Sequence, residues 1–371
     1  MVEWKKIGDS CITITPPKKL EKELYNKDGT YPIIDQGQKE IVGYTDDKST
    51  LIPNGVYTLF GDHTRYVKFH VGQFAQGADG LKILKTIDSV LPRYFFYAFS
   101  NTEIPSRGYS RHWSIAKELL IPIPSLDEQN RIVGILDTFT ASIDNLKELI
   151  AQRRKQYEYY RDQLYYANKS DLLEASKRGE TIVKSLDELG SFTRGRRFVR
   201  TDIVPEGVPC IHYGDMYTYY GVSAEETPTH LTKELSSKLR FAKYGDVVIV
   251  AAGENDLDIG VGVAWLGNEP VVVHDACFIF EHKMNPKYLS HFMRSRNYHQ
   301  QIRMGVVDGK ICSISAKELG RALIAVPSLQ EQQRIVSILD TFEASIQNLE
   351  TQLSQREKQY EYYRNKLLTF E

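Results

Sequence analysis

Three stretches of this 371-residue chain carry the residue types of a cofactor or catalytic motif without its spacing. GVGVAW at 260–265 supplies Gly260 and Gly262 but puts Trp265 where a dinucleotide fingerprint needs its third glycine. GVVDGKI at 305–311 offers Lys310 after Gly309, yet it misses the P-loop spacing and the Ser or Thr that follows the lysine. NPKY at 285–288 looks like an adenine-methyltransferase NPPY motif with Lys287 in place of the second proline. The nine histidines show no HExxH spacing and certify no triad. Cys11, Cys210, Cys277 and Cys312 lie far apart without a CxxC pair, so they are expected to be reduced thiols, with Cys277 in a core. The expectation is therefore a noncatalytic chain that holds no metal and no cofactor of its own.

Binding chemistry is better represented. Arg194, Arg196, Arg197 and Arg200 form one basic knot. Lys283, Lys287, Arg294, Arg296, Arg303 and Lys310 form a second, and residues 62–117 carry 8 basic and 4 acidic side chains. Between the two knots, residues 202–282 carry 4 basic against 13 acidic, so the charges are sorted along the chain. Arg and Lys clustered beside Gly, Tyr and Gln suit phosphate positioning plus contacts to base edges. The candidate nucleic-acid contacts are Gln36, Gln38, Arg65, Lys68, Arg107, Arg111, Arg194, Arg196, Arg197, Arg200, Tyr213 and Lys310. Each cluster has a plainer reading as a solvated turn or helix face.

A repeat supplies the elements that must position these residues. Residues 121–165 and 324–368 align without a gap at an offset of 203 and match at 29 of 45 positions. Each copy reads as one long helix. Ser125 or Ser328 is the N-cap and Glu128 or Glu331 completes a capping box. Apolar residues recur at spacings of 4 and 3: Ile132, Leu136, Phe139, Ile143, Leu146 and Ile150, then Tyr157, Tyr160 and Leu164, with the same series from Ile335 to Leu367. A seven-residue repeat sustained this long predicts coiled-coil packing, most simply of one copy on the other.

Arg153 and Arg356 interrupt that seam, as partner contacts or as arginines that snorkel and fix register. KQYEYYR, identical at 155–161 and 358–364, puts tyrosines on more than one helix face. That is expected of a wet interface, or of packing on an adjoining domain. The interface candidates are Phe139, Ile143, Arg153, Tyr157, Tyr160, Phe342, Ile346, Arg356, Tyr360 and Tyr363.

The fold class expected is α+β. Two globular domains, residues 1–120 and 167–323, alternate with two long helices, 121–166 and 324–371, that run antiparallel as a pseudo-two-fold dumbbell. Short apolar runs punctuated by turn residues fill both domains, with helices expected at PRYFFYAFS and across PKYLSHFMRSRNYHQQIR. A helix near 39 residues spans about 58 Å, and duplex DNA offers symmetry to match paired readers. The composition, 47 Lys+Arg against 48 Asp+Glu with 42% hydrophobic residues, excludes a histone-like polycation and a disordered tail. The N-terminus has no signal-peptide h-region and no run approaches a membrane span, so a cytoplasmic location is expected.

With PSLDEQNRIVGILD at 124–137, PSLQEQQRIVSILD at 327–340, and runs such as QGQKEIVGYT, FGDHTRYVKF, FAQGADGLKIL, IHYGDMYTYYG and VVVHDACFIF, the chain resembles the specificity subunit of Type I restriction-modification systems. The resemblance implies two target-recognition domains, each reading one half of a bipartite sequence in double-stranded DNA, with helices that set the spacer. It also implies two modification (methyltransferase) subunits carrying S-adenosylmethionine, and restriction (motor and endonuclease) subunits carrying ATP and Mg. A coiled-coil scaffold whose end domains bind proteins is the competing class.

Overall fold

The computed structural model describes residues 2–77, 80–108 and 110–370, without the side chain of Tyr217. Residues 78 and 79 of the FAQGADGLKIL run therefore lie outside the described residues. The chain divides into two compact units, residues 1–148 with 351–371, and residues 149–350. Each unit holds part of both long helices, Leu126–Leu164 and Leu329–Leu368.

In the first unit Cys11–Ile14, Leu81–Thr86, Val56–Gly61 and Val67–Val71 form an antiparallel sheet in that order. A second sheet runs Gly43–Thr45, Tyr31–Ile34, Phe74–Gln76, Leu51–Ile52, and its middle pair is parallel, with Ile33 opposite Ala75. Glu3–Lys6 pairs with Leu120–Ile123. The helix Pro92–Ser100 starts on proline and buries Tyr94, Phe95, Tyr97, Ala98 and Phe99. They pack against Phe60, Leu84, Ile132 and Leu136. That burial holds the start of the first long helix to the domain.

The second unit repeats the plan. Gly190–Arg194, Cys277–His282, Val247–Val250 and Gly262–Trp265 form the antiparallel sheet, extended by Ser223–Ala224. Thr229–Leu231, Val208–Ile211, Val271–Val273 and Phe241–Ala242 form the mixed one, with Cys210 opposite Val272 in the parallel pair. Val183–Ser185 pairs with Leu323–Ala325. Among the described residues, a ribbon of Ala252–Gly253 with Cys312–Ser313 is an addition of this unit. Strands Leu120–Ile123 and Leu323–Ala325 thus run through the junctions drawn at 120/121 and 323/324, and their partners are strands of the domains.

The joints to the long helices match residue for residue. Tyr94 Oη donates to Pro122 O at 2.7 Å, and Tyr288 Oη to Ala325 O at 3.1 Å. Gln129 accepts from Leu91 N at 2.8 Å and donates to Pro124 O at 2.9 Å. Gln332 does the same with Asn285 N at 2.9 Å and Pro327 O at 2.8 Å. Arg93 bonds Asp137 at 2.7 Å, and Lys287 bonds Asp340 at 2.6 Å.

Three local expectations change. Ser125 and Ser328 cap as expected, accepting from Glu128 N and Glu331 N, but the glutamates turn their carboxylates to Arg131 and Arg334 instead of closing a capping box. The helix expected across 286–303 breaks into Pro286–Phe292 and Arg296–Ile302, because Ser295 caps a new start through Tyr298 N. VVVHDACFIF is two strands separated by a turn at 274–276. All four cysteines are free and buried, and among the described residues no helix is long and apolar enough to cross a membrane.

His282, opposite Gly190 at a strand end, accepts from Met284 N through Nδ1 at 3.2 Å and leaves Nε2 without a partner. Burial pushes its pKa down to about 4, below the ~6.5 of an unfolded imidazole. The fold accepts the neutral ring, so stability present above pH 6.5 is lost as the pH falls toward 4. The urea midpoint is expected to drop across that window. His282→Asn, which can still accept from Met284 N, should shrink the drop, and an unchanged drop would remove His282 from the account. The drop persists in part because burial also lowers the pKa of His291 and His299.

Candidate nucleic-acid interface

In the second unit the candidate side chains gather where the parallel pair ends. Val208–Ile211 runs into His212 and Tyr213, and Val271–Val273 into His274. The three rings pack together: His212 to Tyr213 at 4.5 Å, His212 to His274 at 5.0 Å, and Tyr213 to His274 at 5.3 Å between centroids. Phe198 closes the cluster edge-on to His274 at 5.0 Å.

Above it passes the basic segment. Gly195 N donates to Cys277 O at 2.9 Å and Arg196 N to Val273 O at 3.1 Å, clipping 194–198 across the strand ends. A Cβ at Gly195 would lie 2.2 Å from His274 O and 2.4 Å from Val273 O, so this approach requires glycine. Arg194 donates to Asp275 O at 2.7 Å and Arg196 to Lys238 O at 2.6 Å, which makes both partly structural. Arg240, not expected from the sequence, fastens the segment through Arg194 O. Arg197 and Arg200 are exposed.

Burial first, with Arg200 adding to it, lowers the pKa of His212, and burial, His212 and Arg197 do so for His274. With Nδ1 accepting from Ala276 N at 3.1 Å, neutral His274 donates from Nε2 to Phe198 O at 3.0 Å. The result is a rigid, uncharged aromatic floor with exposed guanidinium groups beside it, suited to phosphate and base contacts. Tyr213 is half-buried in that floor. Lys310 is exposed in the loop opening the Ala252–Gly253 ribbon, and Ala252 N bonds Ala276 O beside the same turn.

The equivalent end of the first unit is built differently, and three candidates there are structural. Gln36 is half-buried and accepts from His63 N at 3.1 Å, while its main-chain oxygen takes the Thr64 hydroxyl. Gly80, at φ +97°, abuts its side chain so closely that a Cβ would lie 2.6 Å from it. Lys68 is buried and donates to Asp35 O at 3.0 Å and Lys39 O at 2.5 Å, because the inward carbonyls of the DQGQK turn need a donor. Arg65, at φ +63°, is exposed but ties its turn to Ile104 O at 3.0 Å. Gln38, Arg107 and Arg111 are exposed. His112, fully buried, holds the loop of the two arginines by accepting from Arg107 N at 3.1 Å and bonding Asp62 O at 3.0 Å.

Lys18 and Lys19, both exposed, are not among the candidates expected from the sequence. They follow Cys11–Ile14 as Arg196 and Arg197 follow Gly190–Arg194, and Leu20 N crosses to Gln76 O at 3.0 Å. A signal did exist: in both units a short strand pairing with the sheet centre is followed within four residues by paired cations. The second knot, by contrast, does not form one surface. Lys287 belongs to Asp340, and Arg294 points inward to Gly262 O and Gly221 O, its pKa drawn down to about 10 by burial. NPKY is a helix start in which Asn285 Oδ1 accepts from Lys287 N and Tyr288 N.

The helix candidates meet in like fashion in each unit. Phe139 stacks on Tyr363 at 5.4 Å with Arg356 5.7 Å above its ring. Phe342 stacks on Tyr160 at 5.4 Å with Arg153 at 5.9 Å. The seam arginines therefore cover aromatic rings. Ile143 is buried, Ile346 half-buried, and Tyr360 packs on the first-unit core. Tyr157 Oη lies 3.0 Å from His291 Nδ1 and 3.3 Å from Glu343. His291, Asp340 and Glu343 offer three ligand atoms within 4.8 Å, but Lys287 already neutralises Asp340 and Tyr157 bridges the others. Tyr159 and Tyr362 stand 61% and 58% exposed.

The family described as Type I restriction modification DNA specificity domain matches residues 1–152 and 178–357. The EcoR124I/EcoR124II specificity subunit of Escherichia coli is 30% identical over 399 residues, spanning all of this chain and 94% of that protein. A putative type I restriction enzyme specificity subunit of Haemophilus influenzae is 26% identical over 401 residues, spanning 100% and 96%. The same fold occurs in the crystal structure of the Type-I restriction-modification S subunit from M. genitalium, at a TM-score of 0.63, 18% identity and coverage of 100% and 97%.

Proposed function

Because the chain belongs to the type I restriction-modification DNA specificity family, and so supplies sequence specificity to such a system, we propose that its two units each read one half of a bipartite duplex site. The observation that carries this is the repeated scaffold: in both units loops at the end of one parallel strand pair bear exposed cations, but the loops differ in sequence. Arg197, Arg200, Tyr213 and Lys310 serve one half-site, and Gln38, Arg107, Arg111 and Lys18 the other. The long helices hold the readers and dock two modification subunits, with Tyr159 and Tyr362 at the contact. S-adenosylmethionine and adenine-N6 methylation belong to those subunits, and ATP and Mg to restriction subunits.

Arg197→Ala with Arg200→Ala tests the reading. With the modification subunit present, a gel shift should show about ten-fold weaker binding, and a salt dependence shallower by about 1.8 for two lost phosphate contacts. Unchanged affinity and slope would overturn the assignment of this segment.

A further inference from the structure

The two long helices are near copies, so each faces a choice of partner. Their aromatic layers cannot make it. Phe139 with Tyr363 and Arg356 is the same layer as Phe342 with Tyr160 and Arg153, residue for residue at the offset of 203. Two first helices from different copies of the chain, set antiparallel in that register, would bring Phe139 onto Tyr160 and rebuild the layer unchanged.

The charges can make it. Between 126–164 and 329–367 the sign of a side chain inverts at two equivalent positions, Lys147 against Glu350 and Arg154 against Glu357. These four residues form two ion pairs, one within each unit. Lys147 Nζ lies 3.4 Å from Glu357 in the first unit, and Arg154 Nη2 lies 2.5 Å from Glu350 in the second. In a pairing of like helices the same register sets Lys147 against the copy's Arg154, and Glu350 against the copy's Glu357. Two attractions become repulsions.

We infer that Lys147, Arg154, Glu350 and Glu357 form a charge code that commits each long helix to the other helix of its own chain and rejects a second copy of the chain. The side chains are about half exposed, from 43% to 60%, so each pair contributes modestly and is screened by salt. Discrimination comes from the difference between attraction and repulsion summed over the pairs, as at the flanking positions of coiled coils. The consequence, which rests on the half-site reading above, is that complexes with two identical readers are disfavoured, keeping the recognised sequence asymmetric.

Sedimentation velocity of the full chain without DNA tests the code. Lys147→Glu with Glu350→Lys makes both seam pairs like-charged and makes each helix complementary to itself. Self-association should tighten about ten-fold over the parent chain at about 50 mM salt and the gain should vanish at about 0.5 M, as expected of several exposed ion pairs. Reversing all four residues (Lys147→Glu, Arg154→Glu, Glu350→Lys, Glu357→Arg) should restore the parent behaviour. Association of the double variant within two-fold of the parent, or a fourfold variant that stays associated, would overturn the code. Either failure leaves the half-site reading intact, since that reading is tested on Arg197 and Arg200.

Discussion

Replacing residues 1–124 with the corresponding segment of another specificity subunit is expected to change one half of the methylated sequence and leave the other half and the spacer as they were. The physical basis is the closure of the first reading domain. Glu3–Lys6 and Leu120–Ile123 pair as its outermost strands, and the chain enters the long helix only after Pro124. The loops bearing Arg107, Arg111 and Gln38 all lie within that segment. Sequencing modified adenines in cells carrying the hybrid with its modification subunit provides the measurement. A hybrid that altered both halves, or neither, would refute independent readers.

The second large effect concerns the joint between helix and domain. Leu136 and Leu339 are equivalent residues, both fully buried, each in the core of its own unit. Leu136→Ala or Leu339→Ala is expected to cost about 2–5 kcal/mol, through lost transfer energy and the cavity left behind. Leu146→Ala, at 9% exposure on the seam beyond the joint, should cost less. Urea unfolding of the three variants checks the order, and equal losses would show that the joint is no better packed than the rest of the seam.

The long helices were legible because identity at a fixed offset and a seven-residue apolar period are both one-dimensional signals. The reading domains were legible as a class and as strand runs, but their common plan was not. Val208–Ile211 and Tyr31–Ile34 hold the same place in the same sheet order, yet VPCI and YPII share little beyond being short and apolar. A strand needs only to fit its neighbours' faces, so many sequences satisfy one position. The basic residues show the same limit. Arg197, lying in a clipped loop, and Lys68, buried under two carbonyls, are both plain candidate cations in the sequence. Only the carbonyls of Asp35 and Lys39, brought in by the fold, separate an exposed guanidinium from a structural ammonium. Conversely, His212 and His274 lie 62 residues apart and become one floor because parallel strands end side by side.

The joint described for Gln129 and Gln332 has an implication for how such proteins change. The side chains of these glutamines and of Tyr94 and Tyr288 bond main-chain atoms there: Leu91 N, Ser89 O, Pro122 O and Pro124 O on one side, Asn285 N, Ala325 O and Pro327 O on the other. Beside the apolar packing of the joint, a fastening of that kind asks of the neighbouring side chains only a tyrosine in the incoming short helix and polar partners for Asp137 or Asp340. Strand order, loop length and loop charge behind it are free to vary without reopening the attachment. Mutational drift of the readers is thereby mechanically uncoupled from the frame that carries them.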